Sequence, residues 1–237
     1  MTEKAIKILA MDTALDACSV AILHGNTVLA ASFEKRKRGH AETLLPLIKS
    51  LMNEAGLQFS DLDMLATTVG PGTFTGLRIG LAAARGISLA SGRPCVGITT
   101  LEALAASVPE DLARGRTILA SADARRKEVY MQLFQAKTLA TVSEAKAAPL
   151  DQVRSLLPDT PILAVGGGSQ ILKDAGQFDG IDVDIPDLET NPDARIVAKL
   201  AIEKGIPSEP FIPPAPLYLR APDAKLPGGI NPADIKP

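Results

Sequence analysis

An α/β fold of two related halves, each built on a mixed sheet, is what this 237-residue sequence predicts. Three observations carry the prediction. Short apolar runs at 5–12, 17–23 and 27–33 have the length and spacing of a three-strand meander. A helical period then gives way to strand, helix and strand up to residue 99. A looser set of strands and helices repeats that order from residue 117.

The elements follow in chain order. Between the second and third runs, His24-Gly25-Asn26 reads as a hairpin turn, because Gly and Asn tolerate positive φ. The charged connection Glu34-Lys35-Arg36-Lys37-Arg38-Gly39 comes next. Over 40–55 the apolar residues Leu44, Leu45, Ile48, Leu51, Met52 and Ala55 recur on one helical face, and Gly56 ends the helix. Residues 62–69 read as a strand broken by Gly70-Pro71-Gly72. Thr73 or Thr75 caps a helix running to Ser91, which Gly92-Arg93-Pro94 closes. A strand at 95–99 and a helix at 100–107 complete the first half. In the second half, strands are expected at 117–122, 128–134 and 161–165, and helices at 149–157 and 196–204. After Gly205 nine residues are proline, so no regular element is expected there. A partly repeated βββαβα unit points to the actin-like (ASKHA, ribonuclease-H-like) duplicated fold. The expected divisions are 1–105, 106–205 with its last helix packed back on the first half, and a Pro-rich tail over 206–237.

Composition narrows the function classes. Hydrophobic residues make up 46% and charged residues 22%, as in globular proteins generally, but aromatics are only 3% and Trp is absent. Such a core packs through many small aliphatic contacts and close backbone approaches. The net charge of −2 supplies no broad basic field for nucleic acid, so any RNA would be gripped mainly by another protein. Cys18 and Cys95 sit in apolar runs 77 positions apart and read as buried thiols rather than a metal motif. No apolar run approaches the roughly 20 residues of a membrane helix and no cleavage signal opens the chain, so a cytoplasmic protein is expected.

The most distinctive stretch is 70–80, GPGTFTGLRIG. A Gly-rich turn from strand into helix presents backbone N–H groups to an anion, with Gly70, Gly72 and Arg78 as candidate contacts. It is not a Walker A loop, lacking Gly-Lys-Ser/Thr. The alternative is mechanical and favoured: Gly76, Gly80 and Ala84 give one helix face no bulk, which suits close packing against another helix. Asp12-Thr13 at the end of the first strand is either a phosphate-side acid or a strand-end Asx turn. Gly166-Gly167-Gly168 is either a nucleotide contact or a tight turn. The basic clusters Lys35–Arg38 and Arg125–Lys127 are solvated loops or, failing that, the candidates for touching phosphate. His24 and His40 have no partners at metal-ligand spacing, and no Gly-x-Ser-x-Gly elbow is present, so zinc and serine-hydrolase chemistry are unsupported.

Six segments together resemble the TsaB family, part of the group that includes its paralogue TsaD: ILAMDT at 8–13, HAETLLP at 40–46, GPGTFTGLRIG at 70–80, TLEALA at 100–105, DARRKEVY at 123–130 and PLYLR at 216–220. The resemblance implies an actin-like fold and work with TsaD and the ATPase TsaE, which together place threonylcarbamoyl on adenosine 37 of tRNAs reading codons that start with A. It implies contact with tRNA only through that complex, and use of ATP and of a metal held by TsaD, with no cofactor on this chain alone. In TsaD the stretch matching 97–105 carries two metal-binding histidines four residues apart. Thr100 and Leu104 stand there in this sequence, and a Leu side chain cannot bind a metal. A non-catalytic partner subunit is therefore expected, with a metallopeptidase or a small-molecule kinase of the same superfold as alternatives. The resemblance also implies pairing, with TsaD or with a second copy, through helices 40–55 and 75–91. His40, Leu44, Leu45, Ile48, Gly76, Gly80 and Ala84 are the expected interface residues.

Overall fold

The computed structural model describes residues 5–220. The first half contains strands β1 (Lys7–Asp12), β2 (Ala17–His24), β3 (Thr27–Lys35), β4 (Met64–Gly70) and β5 (Cys95–Thr99), with helices α1 (His40–Glu54), α2 (Phe74–Ser91) and α3 (Thr100–Ala106). After the single turn α4 (Glu110–Ala113), the second half contains β6 (Thr117–Arg125), β7 (Glu128–Gln135), β8 (Lys146–Pro149), β9 (Ile162–Val165) and β10 (Val183–Asp184), with α5 (Gly168–Asp174) and α6 (Ala194–Lys204). The two sheets run β3-β2-β1-β4-β5 and β8-β7-β6-β9-β10. Each is an antiparallel meander continued by parallel strands, so the duplication is present at full topology. The actin-like fold predicted from the sequence is borne out.

Five layers result. Leu9, Met11, Val20 and Ile22 point to one side of the first sheet and meet Leu44, Ile48 and Met52 of α1 and Ala84 of α2. Their sequence neighbours Ile8, Ala10, Ala21 and Leu23 point to the other side, as the strand period of two requires. There they meet Ala194, Val197, Ala198 and Ala201 of α6, so the last helix in the chain covers the first sheet. Leu101, Leu104 and Ala105 of α3 pack on Ile118, Ala120 and Phe134 of the second sheet. The outer face of that sheet is covered by α5 and the 3₁₀ segment Leu150–Leu156. The alanines of this middle layer explain the scarcity of aromatics: two sheets and the helices between them come close because the contact residues are small.

Local sequence accounts for most boundaries. Thr73 caps α2, its hydroxyl oxygen accepting from the Gly76 amide at 3.2 Å. Thr99 and Glu102 form a reciprocal capping box at the start of α3. Asp193 starts α6, accepting from the Arg195 amide at 2.8 Å. Six elements differ from the sequence expectations: Gly168 begins a helix rather than ending a tight turn, residues 150–156 are 3₁₀, and α4, β8, β10 and the 3₁₀ turn Phe59–Asp61 lie where no element was expected.

The turn joining β6 to β7 holds Arg125, Arg126 and Lys127 at φ 63°, 53° and 61°. Three consecutive non-glycine residues in the left-handed region is a costly arrangement, at roughly 1–2 kcal/mol each. Lys127 is exposed, so its strain can be removed alone. Lys127→Gly is expected to stabilise the protein by about 0.5–1 kcal/mol, after allowing for glycine's greater unfolded-state freedom. Thermal melting should then rise by about 2 °C. An unchanged or lower midpoint would show that the turn carries no strain at this position.

Candidate functional site

A cleft of about 1110 Å³ opens between the two halves. The loop after β1 supplies Leu15 and Asp16, the end of β3 supplies Lys35, Arg36 and Lys37, and the start of α2 supplies Gly72, Thr73, Phe74 and Arg78. From the second half come Asp123, Arg125 and Arg126 of the strained turn, Tyr130 and Gly167. The two basic clusters, about 90 positions apart in sequence, thus face one space. Several of these cations are already paired: Lys35 with Glu189 at 3.0 Å, Arg36 with Glu34 at 2.6 Å, Arg125 with Asp123 at 2.9 Å. Among the described residues no carboxylate pairs with Lys37 or Arg78.

The extended segment after α6 completes the cleft wall. Arg85 donates to the Pro214 carbonyl at 2.6 Å, and the Leu217 amide donates to the Val69 carbonyl at 2.7 Å. The segment then crosses to the other half, where Arg220 donates to the Ala124 carbonyl at 2.8 Å and pairs with Glu128 at 3.1 Å. On the way Tyr218 stacks on Phe74 with ring centroids 5.9 Å apart, and the Arg78 guanidinium lies 3.7 Å from the Phe74 centroid. The residues of the Pro-rich tail beyond 220 lie outside the described residues. Sequence reading passed over Phe74, Tyr130, Tyr218 and Arg220 as site residues. All four lie in segments that carry the family resemblance, and in a chain with so few aromatics the exposed rings of Phe74 and Tyr218 ask for a reason.

Of the expected phosphate contacts, Gly72, Arg78 and Gly167 line this cleft. Asp12, Thr13, Gly70 and Gly166 do not, because each is buried. Asp12 accepts a hydrogen bond from the Thr68 hydroxyl at 2.6 Å and from the Ala14 amide at 3.1 Å, while its other carboxyl oxygen has no partner. Complete burial pushes its pKa up to about 7, against the weaker downward pull of those two bonds. The Thr13 hydroxyl donates to the Gly76 carbonyl at 2.7 Å. Asp12-Thr13 is thus a buried support beneath α2, not a ligand for phosphate. The two thiols are raised by burial as well, Cys18 to about 11 and Cys95 to about 12, which suits inert core residues.

The expected interface residues need the same correction. His40, Leu44, Ile48, Gly76, Gly80 and Ala84 are buried within their own half. A Cβ on Gly80 would stand 2.7 Å from the Thr13 hydroxyl and 3.3 Å from that of Thr67. A Cβ on Gly76 would collide with the Thr13 carbonyl oxygen and the Thr73 hydroxyl. The bare face of α2 therefore rests on the ends of β1 and β4, a helix-on-strand contact in place of the expected helix-on-helix one. Leu45 alone of the set is open, at 55% exposed.

Thr100 and Leu104 are fully buried, Leu104 within the middle layer and close to Gly166, and the Thr100 hydroxyl has no hydrogen-bond partner. A hydroxyl and an isobutyl group are not a donor set for a catalytic metal ion. Among the described residues no group of three His, Cys, Asp or Glu side chains is arranged to hold one. Among them also no helix is long and apolar enough to cross a membrane.

The family model described as TsaD: tRNA N6-adenosine threonylcarbamoyltransferase matches residues 27–193. The tRNA threonylcarbamoyladenosine biosynthesis protein TsaB of Escherichia coli K12 is 39% identical over 130 residues, 55% of each chain. In three dimensions YeaZ from Pseudomonas aeruginosa superposes with a TM-score of 0.74 at 28% identity, covering 90% of this chain and all of that one. The chain belongs to the TsaB (YeaZ) family. An uncharacterized protein of Mycobacterium tuberculosis H37Rv, 34% identical over 220 residues, shares 92% of this chain and 93% of its own. With the TsaB proteins of E. coli and Haemophilus influenzae, by contrast, the chain matches only about half of their length. The TsaB resemblance seen in the six sequence segments is confirmed.

Proposed function

We propose that this chain is a non-catalytic partner subunit in the formation of N6-threonylcarbamoyladenosine at position 37 of tRNA, docking on a TsaD homologue that holds the metal and works with ATP and TsaE. The observation that carries the proposal is the outer face of α2. Ala82, Gly86 and Leu89 form an exposed stripe there, and Leu89 is 88% exposed. Gly86 is the telling residue. A Cβ at that position would meet nothing within 4 Å, so nothing in its own half requires a glycine. A mid-helix glycine costs about 1 kcal/mol relative to alanine. An open glycine beside a protruding leucine, on the same layer as exposed Leu45, is what close approach by another helix would need. That partner is TsaD in the working complex and a second copy when the chain is alone. The buried Thr100 and Leu104 support the non-catalytic part: the transfer chemistry belongs to the partner, and tRNA is gripped through the assembly.

Reconstituted transfer with TsaD, TsaE, ATP, threonylcarbamoyl-adenylate and tRNA should fail when this chain is omitted. Gly86→Leu should reduce transfer by about a hundredfold through lost assembly, since overpacking a close interface costs on the order of 1–3 kcal/mol. The far-ultraviolet circular dichroism of the isolated variant should match that of the parent, since a side chain at Gly86 meets nothing in its own half. Full transfer by TsaD and TsaE without this chain would end the proposal, as would normal assembly by Gly86→Leu.

A further inference from the structure

We infer that the extended segment 206–220 is a latch that fixes the angle between the two halves, with Arg220 as its catch on the strained β6–β7 turn. The inference stands apart from the docking face on α2 and does not depend on it.

The contact between the halves leaves that angle to be fixed. α6 lies on the first sheet and α3 on the second, and the two helices meet through small side chains, Ala103 among Ala194, Ala198 and Ala201. Alanine faces offer shallow ridges and grooves, which resist sliding and rotation only weakly. The ion pair between these helices, Lys204 with Glu102 at 3.0 Å, is solvent-exposed and adds little.

The segment is tied to the first half at two points. Arg85 of α2 donates from Nε and Nη2 to the Pro214 carbonyl, at 3.1 and 2.6 Å, and the Leu217 amide donates to the Val69 carbonyl at 2.7 Å. Two glycines clear its path. A Cβ on Gly97 would be wedged between the Val69 side chain and the Pro214 Cβ, 2.5 and 3.1 Å away, and one on Gly70 would stand 2.8 Å from the Leu217 carbonyl oxygen. Five residues of the segment are proline, which hold it extended and need no donor partner.

The far end reaches across to the second half. Leu217 and Arg220 are three residues apart, an arm of at most about 11 Å, so the tie has little slack. Arg220 grips both shoulders of the β6–β7 turn, donating to the Ala124 carbonyl at 2.8 Å and pairing with Glu128 at 3.1 Å. Between those shoulders stand Arg125, Arg126 and Lys127, all three in the left-handed region. Two further supports come from within the second half: the Asp123 carboxylate accepts from the Arg125 amide at 2.7 Å, and the Leu150 amide donates to the Lys127 carbonyl at 2.9 Å. Of the three supports only Arg220 belongs to a segment anchored on the first half. Backbone strain persists where its surroundings over-determine it. A strained turn gripped from the opposite half relaxes when the grip is lost, which makes the segment a latch rather than a passive wrap.

Distances between the halves test this in the full chain. Nitroxide labels on Glu54→Cys and Ser155→Cys, exposed positions on the two outer layers, report the angle by pulsed electron paramagnetic resonance, while the buried Cys18 and Cys95 stay unlabelled. One narrow distance is expected for the parent. Arg220→Ala should make the distribution about twice as broad, and the amides of the β6–β7 turn should exchange with deuterium about tenfold faster. Glu128→Gln, which weakens the catch without shortening a side chain, and Arg85→Ala, which frees the other end, should broaden it less. Far-ultraviolet circular dichroism verifies that each variant is folded. Distributions for these variants as narrow as the parent's would overturn the inference. So would equal broadening by Ile212→Ala, whose side chain is 84% exposed in the same segment.

Discussion

Gly76→Ala is expected to unfold much of this protein at 37 °C, although it adds a single methyl group. The new carbon would be driven into the Thr13 carbonyl oxygen and the Thr73 hydroxyl that caps α2. Neither can withdraw, because the Thr13 peptide is held between β1 and the loop that donates the Thr73 amide to the Ala14 carbonyl at 2.8 Å. The start of α2 must lift off the sheet, losing its cap, the Thr13–Gly76 hydrogen bond and part of the Leu77 and Leu81 burial. Summed over a lost cap, a lost buried hydrogen bond and partial exposure, the cost is on the order of 4–6 kcal/mol. Gly80→Leu should be similarly severe, with the fold failing before any interface is tested. Urea unfolding of both variants measures this, and a midpoint within experimental scatter of the parent would mean that the helix slides without cost.

The second large effect is a change of pH behaviour in Asp12→Asn. Asp12 titrates near 7 in the fold and near 3.8 when unfolded. Below about pH 4 the carboxyl is neutral in both states and costs nothing. As pH rises from 4 to 7 the unfolded state ionises and the folded state resists, so stability falls, and above pH 7 the full penalty is present. The gap between about 7 and 3.8 corresponds to roughly 4 kcal/mol. Asn keeps an oxygen for the Thr68 hydroxyl and the Ala14 amide but places an unsatisfied N–H₂ where the second carboxyl oxygen has no partner, a cost of about 1–3 kcal/mol. Asp12→Asn is therefore expected to gain about 1–3 kcal/mol over the parent at pH 8, and to lose that advantage by pH 4.5. Under the proposed function, transfer reconstituted from TsaD, TsaE and this variant should stay within about tenfold of that with the parent, since loss of a true catalytic group costs a hundredfold or more. A variant less stable than the parent at pH 8 would show that the carboxylate is ionised and supported in the fold.

The contrast between these two sites shows what sequence makes visible. The β-meander, the α1 period and the Thr73 cap are local signals, and the structure places all of them within a residue or two. β8, with Ala-Ala before a proline, and the two-residue β10 carry no local signal and exist only because a neighbouring strand offers them an edge. For α2 the difficulty is of another kind. Small residues occupy more than one side of the helix, Gly76, Gly80 and Ala84 inward and Ala82 and Gly86 outward, so a period identifies stripes without telling which one faces the domain. The side with the longest run of small residues turned out to be the internal one. Asp12 sits where a strand ends, which suits an exposed acid as well as a buried one, and only the third dimension decides. The cleft was the least legible feature, since its walls come from segments between residues 15 and 220.

The path of α6 bears on how the chain is made. Ile8, Ala10, Ala21 and Leu23 leave the ribosome more than 170 residues ahead of their cover, Ala194 to Ala201. Synthesis proceeds at about 5–20 residues per second, so that apolar sheet face waits on the order of ten seconds or more for its lid. Until then the nascent chain presents one finished face and one sticky one, which makes it a natural client for chaperones that hold emerging polypeptides.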